Sequence, residues 1–314
     1  MGNLGIMRAL LVVNPKATTT SPRGRDVLVS ALGDLLKLDV AQTRARGHAM
    51  ALGAAAVTGE YDAVIILGGD GTVNEIVNGV MAGGPNPQLP AIGIVPGGGT
   101  NVFSRALGIA TAPMEATGEL MEALRAGRSR RVSLGVADGR WFTFCAGLGV
   151  DAAVMELMER RRRDGHQATP MLYLRCTVNR LLLGTDHRRP TIRLSGPGIA
   201  GTEELFAAFV CNTSPWTYLG SQPISPCPQA SFDAGLDVFG ARRFGPIALA
   251  SLALQLLRSR PGRLGGSGVR FHDMAEVTLT ALRRPLPFQV DGDALGDRAA
   301  VTLRSVPAAL RVIV

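Results

Sequence analysis

The sequence predicts two structural classes in one chain: an α/β N-terminal domain, with helices on both faces of a parallel sheet, and then a β-rich antiparallel second domain. Three observations carry this. The first third alternates continuous apolar strands with helical segments, the pattern of a parallel sheet buried on both faces. After about residue 130, short strands separated by turn residues dominate. The chain has 314 residues, is 46% hydrophobic and has a mean hydropathy of +0.19. That is enough apolar material for a substantial core, which excludes disorder, and the length suits one large domain or two ordinary ones.

In chain order, "ALLVVN" (9–14) reads as a buried strand and residues 24–36 as an amphipathic helix. "LDVAQT" (38–43) is a strand and 47–59 an Ala-rich helix. "DAVIILGG" (62–69) is a strand and 72–82 a helix. "AIGIVPGGG" (91–99) is a strand and loop, with helices over 101–108 and 113–126. Beyond 130 come "RRVSLGVADGRWFTFCAG", "TIRLSG", "ELFAAFVCNTS", "LDVFGARRF", "AEVTLTAL", "LPFQVDGD" and "AVTLRSV", interrupted by helical segments near 151–163, 171–184 and 246–258. The expected division is 8–130 for the first domain and 131–299 for the second. The apolar ending, about 300–314, returns to the first domain.

The formal charge is +8, and Lys16 and Lys37 are the only lysines. Arginine spread over a solvated surface explains this, as does attraction to phosphate, nucleic acid or an anionic membrane. Cys145, Cys176, Cys211 and Cys227 form no CxxC pair and have no zinc-like His spacing, so they read as reduced, buried thiols of a cytosolic protein. The N-terminus runs directly into a strand without a signal peptide. The longest apolar segments, such as "IALASLALQLL" (247–257), are too short to span a bilayer. The expectation is a soluble protein that at most sits on a membrane surface.

The chemistry concentrates at the carboxyl ends of the first four strands, where ligands of parallel α/β sheets bind. "GGDGT" (68–72) follows the third strand. Gly68 and Gly69 allow a tight turn with backbone N–H groups near a ligand, and the following helix points its N-terminus at the same place. Asp70 disfavours a bare phosphate there. A Mg²⁺-bound nucleotide resolves the conflict, because the cation lies between the two negative groups. A simple chain reversal with Asp70 as N-cap explains an isolated GGDG equally well. A second strand–glycine loop–helix unit, "VPGGGTNVFSR" (95–105), Asn14 after the first strand and Thr43 after the second make it less isolated. Neither GxGxxG nor a Walker A pattern is present. Near the end, Asp291 and Asp293 flank Gly292 in "FQVDGDALG" (288–296). This reads as a type I′ hairpin turn or as a general base for a substrate hydroxyl. The basic segment "MERRRRDGHQATP" (158–170) reads as solvated or as a contact for anionic headgroups. The four histidines have no ligand spacing.

The ordered set "NP", "GGDGTVNEIVNG", "PGGGTNVFSRALGI" and "VDGD" resembles the diacylglycerol kinase catalytic-domain family, which includes sphingosine, ceramide and bacterial lipid kinases. The resemblance runs from about 8 to 314. It implies a first domain like those of NAD kinases and phosphofructokinases, a cleft between the two domains, and transfer of the ATP γ-phosphate to a lipid hydroxyl, with diacylglycerol the first choice. Its implied cofactors are ATP and Mg²⁺. Its implied partners are a lipid substrate and an anionic membrane surface, without nucleic acid; the oligomeric state is left open, a homodimer included. Asn14 and Thr43 would contact the nucleotide. Gly68, Gly69, Asp70, Gly71, Thr72 and Asn74 would hold its phosphates, with Asp70 facing Mg²⁺ and Glu75 supporting that loop. Asp291 would match the catalytic base, with Asp293 beside it. Three departures stand out. Gly98, Gly99, Thr100 and Asn101 occupy a loop that usually reads GTxN, so its hydroxyl has moved by one position. Ser133 replaces an acid common after the first domain. Some bacterial members hold a structural Mg²⁺ at an Asp-Gly pair, which Ala234 interrupts here, leaving Asp233 as the candidate ligand. The competing functions are a catalytically silent nucleotide- or lipid-binding protein and an NAD kinase-like enzyme.

Overall fold

The computed structural model describes residues 7–18, 22–149, 189–219, 221–243 and 265–314. The helices expected over 151–163, 171–184 and 246–258, and the basic segment 158–170, lie outside them. The chain divides into two units: residues up to Val132 together with Ala308–Val314, and Ser133–Pro307.

Unit 1 alternates strand and helix as its apolar periodicity dictates. The elements are β1 (Arg8–Val13), α1 (Pro22–Gly33), β2 (Lys37–Gln42), α2 (His48–Thr58), β3 (Ala63–Gly68), α3 (Asp70–Val80), β4 (Ala91–Pro96), α4 (Val102–Ala106) and α5 (Pro113–Arg125). The four strands run parallel in the order β2-β1-β3-β4. Residues of β3 and β4 are buried throughout, which explains why both read as unbroken apolar runs rather than alternating ones. On one face Leu11, Ile65 and Val95 pack with Leu28 and Leu32 of α1 and Leu120 and Ala123 of α5. The C-terminal segment closes this core: Val312 pairs parallel to Ile92 of β4, and Ile313 joins the cluster. Helices α2 and α3 pack backbone to backbone. A Cβ on Gly79 would stand 2.0 Å from the Met50 carbonyl oxygen, so only glycine permits the approach.

Unit 2 is antiparallel. Its strands are β5 (Arg130–Ala137, entering from unit 1), β6 (Arg140–Phe142), β7 (Cys145–Leu148), β8 (Ile192–Ser195), β9 (Glu203–Leu205), β10 (Ala207–Cys211), β11 (Thr217–Leu219), β12 (Gln222–Ile224), β13 (Leu236–Ala241), β14 (Gly268–Met274), β15 (Glu276–Ala281), β16 (Leu286–Val290), β17 (Asp293–Arg298) and β18 (Ala300–Val312, which passes into unit 1 at Ala308). One sheet has the order β14-β13-β10-β7-β16-β17. In the other, β18-β15-β8-β9 lie side by side, with β5 on β18 and β6 on β5. Phe142, Leu148, Ile192, Leu205, Val210, Val238, Val277, Phe288 and Leu303 form their shared core. Strands β11 and β12 pair separately as a short ribbon. The α/β-plus-antiparallel class expected from the sequence is the one observed. Among the described residues, no helix is long and apolar enough to cross a membrane.

Candidate functional site

Two clusters of polar groups stand out, one in each unit. The first lies at the carboxyl edge of the parallel sheet. The β3 and β4 ladders continue into the glycines: Gly97 N–H donates to the Gly68 carbonyl at 2.8 Å. Beyond that bond the two glycine loops touch. A Cβ on Gly98 would lie 2.8 Å from Gly69 Cα, a distance no other residue tolerates. Helix α3 starts here, with Gly69 as N-cap and no side chain capping it. Its N-terminus therefore carries the partial positive charge that attracts anions. Gly71 and Gly99 are exposed, and a Cβ added at either would meet nothing within 4 Å.

The polar side chains of α3 bond neighbouring loops and one another. Asp70 is the first helical residue rather than the N-cap. Its carboxylate accepts N–H bonds from Val102 (3.0 Å) and Phe103 (3.2 Å), at the start of α4. The Thr72 hydroxyl accepts a bond from Asn14 Nδ2 at 2.9 Å, which ties the post-β1 loop to α3. Glu75 does not support the loop that precedes it. Its two oxygens accept the N–H groups of Gly47 (2.9 Å) and Ala49 (3.1 Å), where α2 begins. These bonds do for α2 what its own N-cap, Gly47, has no side chain to do. Asn74 also departs from the expected phosphate contact: it is 1% exposed and accepts a bond from Asn78. The solvent-facing part of the motif is thus Gly69-Asp70-Gly71. Thr43 lies one residue past β2, with its N–H on the Val13 carbonyl. Thr100 is part-exposed in the second loop.

Two residues that the sequence reading gave no role stand here. Asn101 has φ 51°, a left-handed conformation that Asn tolerates better than most side chains. Its Oδ1 accepts the Gly98 N–H at 2.9 Å, and its Nδ2 donates to the Gly98 carbonyl at 2.7 Å. The signal was the Asn of the loop motif, two positions after the last of three glycines. Lys16, two residues past Asn14, is exposed and is one of two lysines in the chain.

The second cluster surrounds the β16–β17 turn of unit 2. Asp291 (φ 47°) and Gly292 (φ 83°) form the two-residue turn with both φ positive that Asp-Gly predicts. The carboxylate of Asp291 is 7% exposed and accepts four bonds. Oδ2 takes the Thr143 N–H (2.6 Å) and hydroxyl (2.8 Å), while Oδ1 takes the Phe144 and Cys145 N–H groups (3.0 Å each). Burial pushes its carboxyl up from the ordinary range, and these donors pull against that. Asn212 secures the donors' own segment by donating to the Ser133 and Thr143 carbonyls. Ser133, the departure from an acid, is buried at this spot. Asp293 is different. Its side chain is 27% exposed and faces Arg140 at 3.5 Å. Of the two acids, Asp293 is the accessible one.

Among the described residues, no group of three His, Cys, Asp or Glu is arranged to hold a metal ion. Asp233 is exposed just before β13, outside any such group. His272, unassigned from spacing, places Nδ1 2.7 Å from Asp237, whose carboxyl burial pushes up.

Residues 8–137 match the family model of the diacylglycerol kinase catalytic domain. The diacylglycerol kinase of Bacillus subtilis (strain 168) is 33% identical over 150 residues, 45% of this chain and 46% of that protein. The diacylglycerol kinase of Staphylococcus saprophyticus is 34% identical over 143 residues, 43% of each chain. The match thus spans less than half the length of these curated relatives. The fold extends further. A diacylglycerol kinase structure from Bacillus anthracis str. Sterne superposes with a TM-score of 0.74 at 19% identity, covering 99% of this chain and 98% of that one. Yeast NADH kinase complexed with NADH gives a TM-score of 0.52 at 10% identity, over 98% and 83%. The resemblance read from the motifs is borne out over residues 8–137, and the two-part fold over nearly the whole chain.

Proposed function

We propose that this protein is an ATP-dependent lipid kinase that transfers the γ-phosphate of ATP to a lipid hydroxyl, with diacylglycerol the leading acceptor. The observation that carries the reading is the contact of the two glycine loops at the carboxyl ends of β3 and β4. A cradle of backbone N–H groups at a helix N-terminus suits the polyphosphate of a nucleotide. The family match over the same residues directs the reading to lipid phosphorylation.

Phosphoryl transfer demands positioning and charge stabilisation more than covalent catalysis. In this reading Gly69, Asp70, Gly71 and the 97–101 loop hold the phosphates, and Asn14, Lys16 and Thr43 line the same edge. A carboxylate is the hard ligand Mg²⁺ prefers, and Asp70 is part-exposed in the motif's solvent-facing segment. Mg²⁺ arriving with ATP supplies charge neutralisation on the transferring phosphate. Asp293 takes the role of proton acceptor for the lipid hydroxyl, with Arg140 holding it. Asp291 anchors the turn, because its oxygens already serve four donors.

The test is label transfer from ATP to a lipid panel in mixed micelles with Mg²⁺, with NADH as a non-lipid acceptor, for wild type and Asp293→Asn. Removing a general base costs about 10²–10⁴ in rate. The expected result is transfer to a diacylglycerol that falls by about that factor in Asp293→Asn at unchanged unfolding temperature. Transfer to NADH alone, or none at all, refutes the lipid kinase. An active Asp293→Asn refutes the assignment of the base.

A further inference from the structure

We infer that Asn101 is a positioning residue: it holds the second glycine loop in the shape that abuts the first, so that residues 68–71 and 97–101 form one phosphate cradle whose affinity for nucleotide depends on a side chain that does not touch the ligand. The inference rests on the nucleotide reading above.

The geometry is specific. A glycine triplet, Gly97-Gly98-Gly99, has many accessible conformations, and holding it in one costs entropy. Asn101 removes that freedom from within the loop. Its amide binds both backbone groups of Gly98, the N–H through Oδ1 and the carbonyl through Nδ2. This pair of hydrogen bonds to one residue fixes Gly98 in position and rotation. Gly98 is the residue whose backbone abuts Gly69. Asn101 itself is 8% exposed and sits in the left-handed region, which turns its side chain back over the loop. Asp70 completes the assembly from the other side. Its carboxylate, in the first loop, holds the Val102 and Phe103 N–H groups that directly follow Asn101. The first loop therefore holds the second through Asp70, while Asn101 fixes the second from within. A cradle assembled before the ligand arrives pays no ordering cost on binding, and this assembly is what Asn101 maintains.

Two substitutions separate the clamp from the backbone conformation. Asn101→Gly keeps the left-handed φ at no steric cost and removes both bonds. Asn101→Asp keeps the acceptor for Gly98 N–H and removes the donor to its carbonyl. The measurements are titration of the full chain with a fluorescent methylanthraniloyl-ATP in Mg²⁺, amide hydrogen exchange at Gly98, and steady-state constants for ATP and lipid. The expected result for Asn101→Gly is an approximately tenfold weaker nucleotide Kd, about 1.4 kcal/mol, with faster exchange at Gly98. The KM for ATP rises while the KM for lipid holds. Asn101→Asp sets a carboxylate oxygen against the Gly98 carbonyl and adds negative charge beside the cradle, so it weakens binding at least as much. A general structural defect would move both substrate constants together. Wild-type nucleotide affinity in Asn101→Gly overturns the inference. If that variant does not fold, wild-type affinity in Asn101→Asp overturns it instead. Failure of the wild-type chain to bind the nucleotide overturns the nucleotide reading itself, and the inference with it.

Discussion

Replacing Asp291 with Asn tests whether this acid holds the turn or does chemistry. The change is nearly isosteric and removes the charge. Either orientation of the new amide turns an NH₂ toward two donors: the Thr143 N–H and hydroxyl on one side, or the Phe144 and Cys145 N–H groups on the other. Two buried donors then lose their acceptor. Each orphaned group costs about 1–3 kcal/mol, and relief of the buried charge returns part of the sum. The net expectation is a loss of about 2–4 kcal/mol in the stability of unit 2. For a body of that size each kcal/mol moves the midpoint by roughly 2–4 °C, so thermal unfolding should shift down by about 4–16 °C. Thermal denaturation followed by near-ultraviolet circular dichroism reads this shift, and urea unfolding gives the free energy. Asp293→Asn is the control, since its part-exposed carboxylate faces Arg140, and it should unfold within about 1 kcal/mol of wild type. Wild-type stability of Asp291→Asn together with abolished activity would refute the reasoning and return the base to Asp291.

Two further predictions concern unit 1. Glu75→Ala leaves the first N–H groups of α2 without acceptors and should cost about 1–2 kcal/mol, read by thermal unfolding, with faster hydrogen exchange at Gly47 and Ala49; unchanged exchange there would refute the capping role. Tyr61→Phe removes the hydroxyl that donates to Asp39 at 2.7 Å, the first reason that carboxyl lies below its ordinary value, with Arg8 the second. A depressed carboxyl contributes stability above its unfolded pKa, about 3.9, and that contribution is lost as pH falls through the folded value. The variant should therefore titrate Asp39 closer to its ordinary value and show a shallower acid limb of stability; carbon-detected NMR titration of Asp39 reads the shift, and an unmoved midpoint would refute it.

Much of this protein was legible before any coordinates. Strand and helix periods are local, so β1 to α5 emerge from the hydrophobic pattern, each within a few residues. The glycine loops and the Asp-Gly turn were legible for the same reason: positive φ and tight approach restrict the residue types allowed at a few adjacent positions. The partners of the acids were not. Asp70 binds N–H groups 32 and 33 positions away, Glu75 reaches back 26 and 28, and Asp291 is held from 146 to 148 positions upstream. A carboxylate in a motif looks the same whether it faces ligand or backbone, because backbone N–H groups leave no mark in the sequence. Asn74 and Asn101 make the point in opposite directions. Motif membership marked Asn74, which the fold buries against Asn78. Asn101 matched the Asn of the loop motif but was given no role, and the fold places it on Gly98.

By itself the sequence determined the order of elements, the two glycine loops, the acidic hairpin and the family resemblance of its first part, since each depends on residues close together in the chain. Only the tertiary structure decided which acid is exposed and which is caged, because burial and hydrogen-bond saturation depend on segments that meet only when the sheets assemble.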